Sequence, residues 1–447
     1  MTSPPRGLER HLGLWSIVAL VVGEVIAVGI FLTPAGMARS LGSPFWVLVV
    51  WLIMGLGTAC GALCYGELSA RFPEAGGGYV YIREAFGPAL AFLYGWKCLL
   101  VMDPGITAAL AVGLTSYLGY VVSLSPLALK LVPIAVVVSL ALANMAGVKL
   151  GARIVGSLTA IKIGSLAAIV ILAVVLGRGD WSNFVPFVAQ RAGSEPLPGA
   201  LAPALVSAFF AFGGWWEIGK LAGEARDPDR AFPLGLVLGV ALVTLIYLVT
   251  SAAFLYLVPL EQVTSGEAFA AQAGERLFGG AGARVFATLV IVSVSGSLAA
   301  LLMALPRVYY AMSRDGVFFR GVGVLHPRFG TPTRAIAVQA VLASLLIAIG
   351  TFDQIIAYFI FATVAFLGLT VASLFVLRRR SSASFRTPGY PATPIVFLAM
   401  VAVLLFLLAA HSPLQAGLGI VVVSVGVPVY YLVTRRRLRR AESIDNL

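Results

Sequence analysis

Long apolar runs alternate with short polar segments along almost the whole chain. Each run approaches the roughly 20 residues that an α-helix needs to cross a bilayer. The runs predict twelve spans, near residues 13–33, 44–70, 87–118, 129–148, 154–177, 201–220, 232–258, 284–311, 335–350, 354–377, 394–411 and 415–434. The pattern therefore predicts an all-α integral membrane protein with twelve transmembrane helices, here called spans 1 to 12.

Composition and charge agree with this prediction. The 447 residues are 60% hydrophobic and 11% charged, and a soluble domain carries roughly twice that share of charge. Of the 31 Lys and Arg residues, 23 fall on one side of the predicted spans, six on the other and two within spans. The positive-inside rule then places both termini in the cytoplasm, with the spans in the cell membrane. The net charge of +12 lies in loops and in the tail "RRRLRR" without interleaved aromatics, so no nucleic-acid partner is predicted.

Catalytic and metal-binding patterns are absent from the sequence. The three histidines stand apart, no Ser/His/Asp arrangement is visible, and the three cysteines fall inside spans, at Cys60, Cys64 and Cys98. The sequence also lacks the polar stripe that a channel would place along several helices. We therefore predict neither an enzyme nor a channel, with no cofactor, no metal and no disulfide-linked subunit.

Two spans are interrupted at corresponding places. Span 1 contains "GEVIAVGIFLTP" (residues 23–34), with the carboxylate of Glu24 near the bilayer midplane. Span 6 contains "FFAFGGWWEIGK" (residues 209–220), whose glycine pair also lies about a dozen residues in. Matching interruptions in two halves of a chain indicate a transporter built from inverted repeats, with its site at the midplane. Close helix packing is the other explanation for these glycines.

The chemistry of such breaks suits a zwitterion. A helix that restarts near Val28 and Gly29 offers free N–H groups and a positive dipole end to a carboxylate. A helix that stops near Phe212 and Gly213 offers free carbonyl groups to an ammonium. An α-amino acid carries both groups and could bridge the two breaks.

Several segments together resemble the amino acid–polyamine–organocation superfamily, and within it the L-type amino acid transporter branch. The resemblance covers nearly the whole chain. It rests on "GEVIAVGIF" in span 1 and on "YGELSARFPEAGGGYVYIREAFG", "GWKCLLVMDPGITAALAVGLTSYL", "AFGGWWEIGKLAGEARDPDRAFP", "SGSLAALLMALPRVYYAMSRDG", "HPRFGTPTRAI" and "FRTPGYP".

The resemblance implies a five-plus-five inverted repeat with discontinuous helices 1 and 6 and two additional C-terminal helices. The predicted division is a cytoplasmic N-terminus (1–12), a first repeat (13–177), a second repeat (201–377), two further helices (394–434) and a basic tail (435–447). It also implies amino acid translocation by alternating access.

Residues matched by motif position give the expected substrate site. Backbone groups of Ala27, Val28 and Gly29 would bind the carboxylate, and the carbonyls of Ile26 and the span 6 break would bind the ammonium. The family's Gly-Ser pair is Ala27-Val28 here, which removes a hydroxyl but leaves the N–H groups. The span 6 residues of this site are Phe210, at the position of an aromatic gate, and Ala211, Phe212, Gly213 and Gly214.

Two intramembrane charges are the expected coupling residues. Lys162 matches a span 5 lysine of sodium-independent members, and a fixed positive charge disfavours a sodium ion nearby. Its role as a proton carrier or as a permanent charge is left open. For Glu24 three roles are open, namely pairing with Lys162, carrying a proton, or attracting a substrate amine, with pairing ranked first.

Four other polar residues are secondary candidates. Asp103 follows Lys97 by six residues, a spacing that does not favour one helix face, and Glu217 is expected to face a vestibule. Ser293 and Ser297 would either line the site near Lys162 or bond their own helix backbone.

These features predict a sodium-independent secondary transporter of neutral, zwitterionic amino acids that works by alternating access. Proton symport and exchange are both open, so protons are a possible second partner beside the amino acid and the lipid bilayer. The alternative is a transporter of polyamines, other cationic amines or cationic amino acids, because Glu24 and Asp103 could both bind cations.

Overall fold

The computed structural model describes residues 12–26, 29–73, 76–146, 148–263, 269–316, 318–319, 321–327, 329–380 and 384–445. Its α-helices are α1 (Leu14–Val25), α2 (Gly29–Leu41), α3 (Pro44–Arg71), α4 (Gly78–Phe86), α5 (Pro88–Lys97), α6 (Asp103–Leu118), α7 (Ala128–Met145), α8 (Val148–Val175), α9 (Leu197–Ala211), α10 (Ala231–Leu257), α11 (Phe269–Ala304), α12 (Pro306–Arg314), α13 (Thr333–Ile349), α14 (Phe352–Arg380), α15 (Ala392–His411) and α16 (Pro413–Asp445).

The helices confirm the prediction of an all-α protein with many membrane spans. Within the described ranges, nine helices are long and apolar enough to cross a membrane. The pair α1 and α2 is bent by 51° and supplies a further span, while α8 and α13 are apolar over shorter described lengths. Each of the twelve predicted spans therefore has a counterpart. The division into two repeats stays a prediction.

Both predicted interruptions are present. The segment of span 1 that follows α1 leaves helical geometry at Ile26, and α2 begins at Gly29. Span 6 stops as α9 at Ala211 and continues, after Gly214, as a 3-10 helix over Trp215–Glu224. Gly214 has φ of +107°, a left-handed conformation that side chains rarely adopt, so a glycine is needed at this turn.

Three local elements were not predicted. The loop after span 2 contains the helix α4, and span 3 contains a π-helical turn over Cys98–Met102 that separates α5 from α6. The helix α11 begins 15 residues before the predicted start of span 8 and is kinked at Phe278 and Gly279. Hydropathy is insensitive to such features, because they change backbone geometry without changing the apolar content.

A buried carboxylate joins the ends of α3 and α14. Glu67 is fully buried and accepts hydrogen bonds from Arg71 (2.9 Å), from Arg378 Nε (2.7 Å) and from the backbone N–H of Thr387 (2.7 Å). Arg378 also stacks on the ring of Tyr390, with its guanidinium carbon 3.7 Å from the centroid. This cluster ties α3, α14 and the segment before α15 together.

Arg71 and Arg83 both contact carboxylates in the described part of the chain. Arg71 bonds Glu67, and Arg83 bonds Glu84 (2.9 Å) and Asp315 (3.4 Å). Tyr79 donates to the same Asp315 (3.2 Å). Burial, reinforced by the Asp315 carboxylate, raises the pKa of Tyr79 to about 12, so the phenol remains a donor at neutral pH. The helix α4 is thereby fixed against the end of α12.

Candidate functional site

A cavity of about 480 Å³ lies where the two interrupted spans meet. This volume is within the range of small-molecule sites, roughly 300–1,000 Å³. Its walls come from α1 and the start of α2, from α6, α8 and α11, and from the span 6 break. The lining includes Glu24, Gly29, Ile106, Lys162, Phe210 and Ser297.

The two breaks touch each other through glycine. A methyl group added at Gly29 would lie 2.2 Å from Ala211 Cα, so the start of α2 packs directly on the backbone at the end of α9. A methyl group added at Gly214 would lie 2.9 Å from Glu24 Cγ. The positive end of α2 and the negative end of α9 are thereby brought to one cavity, an arrangement that presents N–H groups to an anion and carbonyls to a cation.

Tyr247, in the middle of α10, links the two breaks. Its hydroxyl donates to the carbonyl of Val25 (3.0 Å), the last residue of α1, and to the carbonyl of Ala211 (2.7 Å), the last residue of α9. A phenol has one proton, so the two carbonyls share it. The ring is buried against Trp51 and Phe212, with centroids 5.0 and 5.2 Å away. Tyr247 therefore fixes the ends of both interrupted helices relative to each other.

Glu24 and Lys162 line the same cavity. Lys162 is 4% exposed, and no direct ion pair joins it to Glu24 in the structure, although each lies within range of the other's charge. The contact pair that was ranked first for Glu24 is therefore not formed in this conformation. The cavity instead separates one carboxylate from one ammonium.

Phe210 lines the cavity. Its ring meets Phe352 and Phe359 of α14 edge to face, with centroids 5.8 and 6.1 Å away. Along α1, the lining runs from Leu12 and Ser16 to Glu24 and Val25. The space therefore extends toward the N-terminal end of α1.

The other predicted site residues divide into three groups. Gly213 and Gly214 line the cavity, while Ala211, Phe212 and Ile26 are buried beside it. Ala27 and Val28, expected to bind the carboxylate, lie outside the described residues.

The secondary candidates have separate locations. Ser297 lines the cavity and bonds back to the carbonyl of Ser293 (3.3 Å), while the Ser293 hydroxyl has no partner among the described residues. Glu217 contacts Lys220 one turn along the 3-10 helix. Asp103 is buried outside the cavity and contacts Tyr309, while the nearby ammonium of Lys97 lies on Met102 sulfur.

Sequence reasoning missed Tyr247 and the wall formed by Ile106 and Leu110. A signal for Tyr247 exists, because a hydroxyl in the middle of an apolar span needs an acceptor. The apolar wall has no such signal, since Ile and Leu are ordinary in any span.

The comparisons with known proteins agree with this architecture. The profile of the family described as amino acid permease matches residues 12–434. The serine/threonine exchanger SteT of Bacillus subtilis is 29% identical over 443 residues, which cover 98% of this chain and 100% of that protein. The rabbit (Oryctolagus cuniculus) large neutral amino acids transporter small subunit 2 is 30% identical, over 95% of this chain and 80% of its own. The human cystine/glutamate transporter is 29% identical, over 95% of this chain and 85% of its own length.

The family match spans nearly the whole chain, and each of the three relatives matches 95% or more of it. The expected resemblance is thereby confirmed, and so is the prediction that the protein is a transporter, not an enzyme. The chain belongs to the amino acid permease family, as an L-type member of the amino acid–polyamine–organocation superfamily.

Proposed function

We propose that this protein exchanges neutral amino acids across the cell membrane without sodium, binding each substrate between the two helix breaks. The substrate carboxylate would meet the N–H groups at the start of α2, and its ammonium would meet the carbonyls around the end of α9. This proposal includes the expected backbone roles of Ala27 and Val28. Both termini would face the cytoplasm.

The charge of the cavity is the observation that carries the proposal. Among the described residues that line it, Glu24 is the only carboxylate and Lys162 the only ammonium. A cavity with balanced charges accepts a net-neutral zwitterion at little electrostatic cost, whereas a polyamine would need an excess of carboxylates. Asp103, the second acid on which the amine alternative depended, does not line the cavity. The arrangement therefore favours neutral amino acids over polyamines.

Lys162 supports the absence of sodium coupling. Its buried ammonium lines the cavity from α8, which packs against α11. A sodium ion entering this space would be repelled by a like charge in a region of low dielectric constant.

The shape of the cavity supports alternating access. Its lining follows α1 to Leu12, at the end that is predicted to face the cytoplasm, and we take the packed rings of Phe210, Phe352 and Phe359 as the closure on the other side. A carrier that opens to one side at a time needs a closure of this kind. The name of SteT favours exchange over net uptake and favours serine and threonine as the first substrates to test.

Counterflow in proteoliposomes tests the proposal. Liposomes loaded with unlabelled serine should accumulate labelled serine equally well in sodium and potassium media, and empty liposomes should not. Stimulation of uptake several-fold by sodium would contradict the sodium-independent part. Transport of putrescine or agmatine without transport of neutral amino acids would contradict the substrate class.

A further inference from the structure

Asp103 lies in a buried polar cluster that the substrate cavity does not include. It is the first residue of α6, directly after the π-helical turn, and its side chain is 2% exposed. Ile106 and Leu110, on the same face one and two turns further along, line the cavity. Along α6, Asp103 therefore lies one turn before the residues that line the cavity.

The direct side-chain partner of the Asp103 carboxylate is a neutral phenol. Tyr309, fully buried on α12, donates its hydroxyl to Asp103 Oδ2. The backbone carbonyl of Asp103 accepts from Thr107 (2.7 Å), which accepts from the fully buried Gln339 (2.9 Å). The Gln339 Oε1 atom has no partner among the described residues.

The bases near Asp103 are engaged elsewhere. Lys97, 2% exposed, directs its ammonium to Met102 sulfur (3.2 Å) and lies 4.6 Å from the ring centroid of Tyr94. Lys220 is paired with Glu217. The titratable groups whose charges act on Asp103 lie on α5, the π-helical turn, the 3-10 helix and α12, and are Tyr94, Lys97, Cys98, Glu217, Lys220 and Tyr309. The α13 group that is linked to Asp103 is the uncharged Gln339, which donates a hydrogen bond to Thr107.

A buried carboxylate whose direct partner is a phenol is a site for a proton. Leaving a negative charge at this depth without a contacting cation is costly, and adding a proton removes the charge. The proton would come from water and form one O–H bond at a carboxylate oxygen of Asp103, with no other bond broken. We propose that Asp103 and Tyr309 form a proton-binding site, separate from the substrate cavity, that sets the rate of exchange.

The location of Tyr309 explains how the proton would act. The helix α12 follows α11, whose residues Gly296 and Ser297 line the cavity, and α6, which packs against α11, lines the cavity as well. The contact between Asp103 and Tyr309 joins these two walls. A hydrogen bond to an ionised carboxylate is about twice as strong as a neutral one, so protonation weakens the connection. We expect exchange to be faster at acidic pH, because the two walls separate more readily.

The test measures exchange by the full-length protein in proteoliposomes, with the same pH on both sides, from about pH 5.5 to about pH 8.5. It rests on the proposed function, since serine exchange is the readout. The wild-type rate should rise toward acidic pH, by up to about tenfold per pH unit on the steep part of a single-site titration. Asp103→Asn should give a flat profile at the fast level, and Glu84→Gln, which removes an exposed carboxylate on α4, should keep the wild-type profile. A flat wild-type profile, or an Asp103→Asn profile like that of the wild type, would overturn the proposal.

Two further measurements test the proton site if Asp103→Asn does not fold or if the protein does not exchange amino acids. Tyr309→Phe keeps the carboxyl and removes its partner, so its pH profile should be displaced along the pH axis, and an unchanged profile argues against the site. If the wild type exchanges no amino acid, the proposed function fails. The proton site is then tested in detergent, where the melting temperatures of wild type and Asp103→Asn should diverge as pH changes. Parallel curves would overturn it.

Discussion

Removing one hydroxyl from α10 tests whether the two helix breaks work as a unit. Tyr247→Phe keeps the ring packed on Trp51 and Phe212 and removes the proton that the carbonyls of Val25 and Ala211 share. The geometry of both helix ends then depends on packing alone. The substitution changes no charge and no cavity-lining side chain.

The expected magnitude follows from those two hydrogen bonds. A buried carbonyl that loses its partner costs about 1–3 kcal/mol, and one shared proton serves both acceptors here, so we take about 1–2 kcal/mol for the pair. At 1.36 kcal/mol for each factor of ten, exchange should slow about 5- to 30-fold. The loss should appear in the maximal rate as well as in the apparent substrate affinity, because the same breaks bind the substrate and move.

The assay is serine counterflow, with correct folding checked by size-exclusion chromatography of the purified variant. Tyr256→Phe is the matched control, because Tyr256 lies on the same helix and packs its ring on Trp181 (4.7 Å). It should exchange at the wild-type rate. A folded Tyr247→Phe protein that exchanges within twofold of the wild type would refute the reasoning, as would an equal loss in the control.

Two further substitutions probe the packing of the breaks and the buried charge cluster. Gly29→Ala should abolish exchange, because the added methyl would meet the Ala211 backbone at 2.2 Å, whereas Gly36→Ala on the same helix adds a methyl with nothing within 4 Å and should be tolerated. An active Gly29→Ala protein would contradict the close approach of the breaks. Glu67→Gln should destabilise the fold by about 3–5 kcal/mol in thermal or denaturant unfolding, because it leaves buried guanidinium groups without their carboxylate. The control Glu84→Gln removes the partner of an exposed pair and should cost at most about 1 kcal/mol, so equal losses would contradict the importance of burial.

Residues with unusual chemistry made much of the site predictable from sequence. Glycines and a carboxylate inside apolar runs are costly unless they serve a break, so spans 1 and 6 were identified as interrupted and the structure confirms both interruptions. Lys162 stood out for the same reason, and it lines the cavity as a candidate coupling residue. Their roles in transport stay predictions.

Features that depend on distant contacts were not predictable. The partners of Asp103 and Tyr247 lie on helices far away in sequence, and no local pattern indicates which carbonyl or phenol will be near. The pairing expected between Glu24 and Lys162 was inferred from opposite charges at similar depth, but depth along two helices does not fix the distance between them. The π-helical turn at Cys98–Met102 likewise has no apolar signature.

A structure determined with a bound neutral amino acid tests the central claim most directly. We predict that the substrate carboxylate lies within hydrogen-bonding distance of the backbone N–H groups at Val28 and Gly29. Its ammonium should lie against carbonyls at the end of α9, with the side chain toward Ile106. A substrate held instead by the carboxylate of Glu24 and the ammonium of Lys162, away from both helix breaks, would contradict the claim.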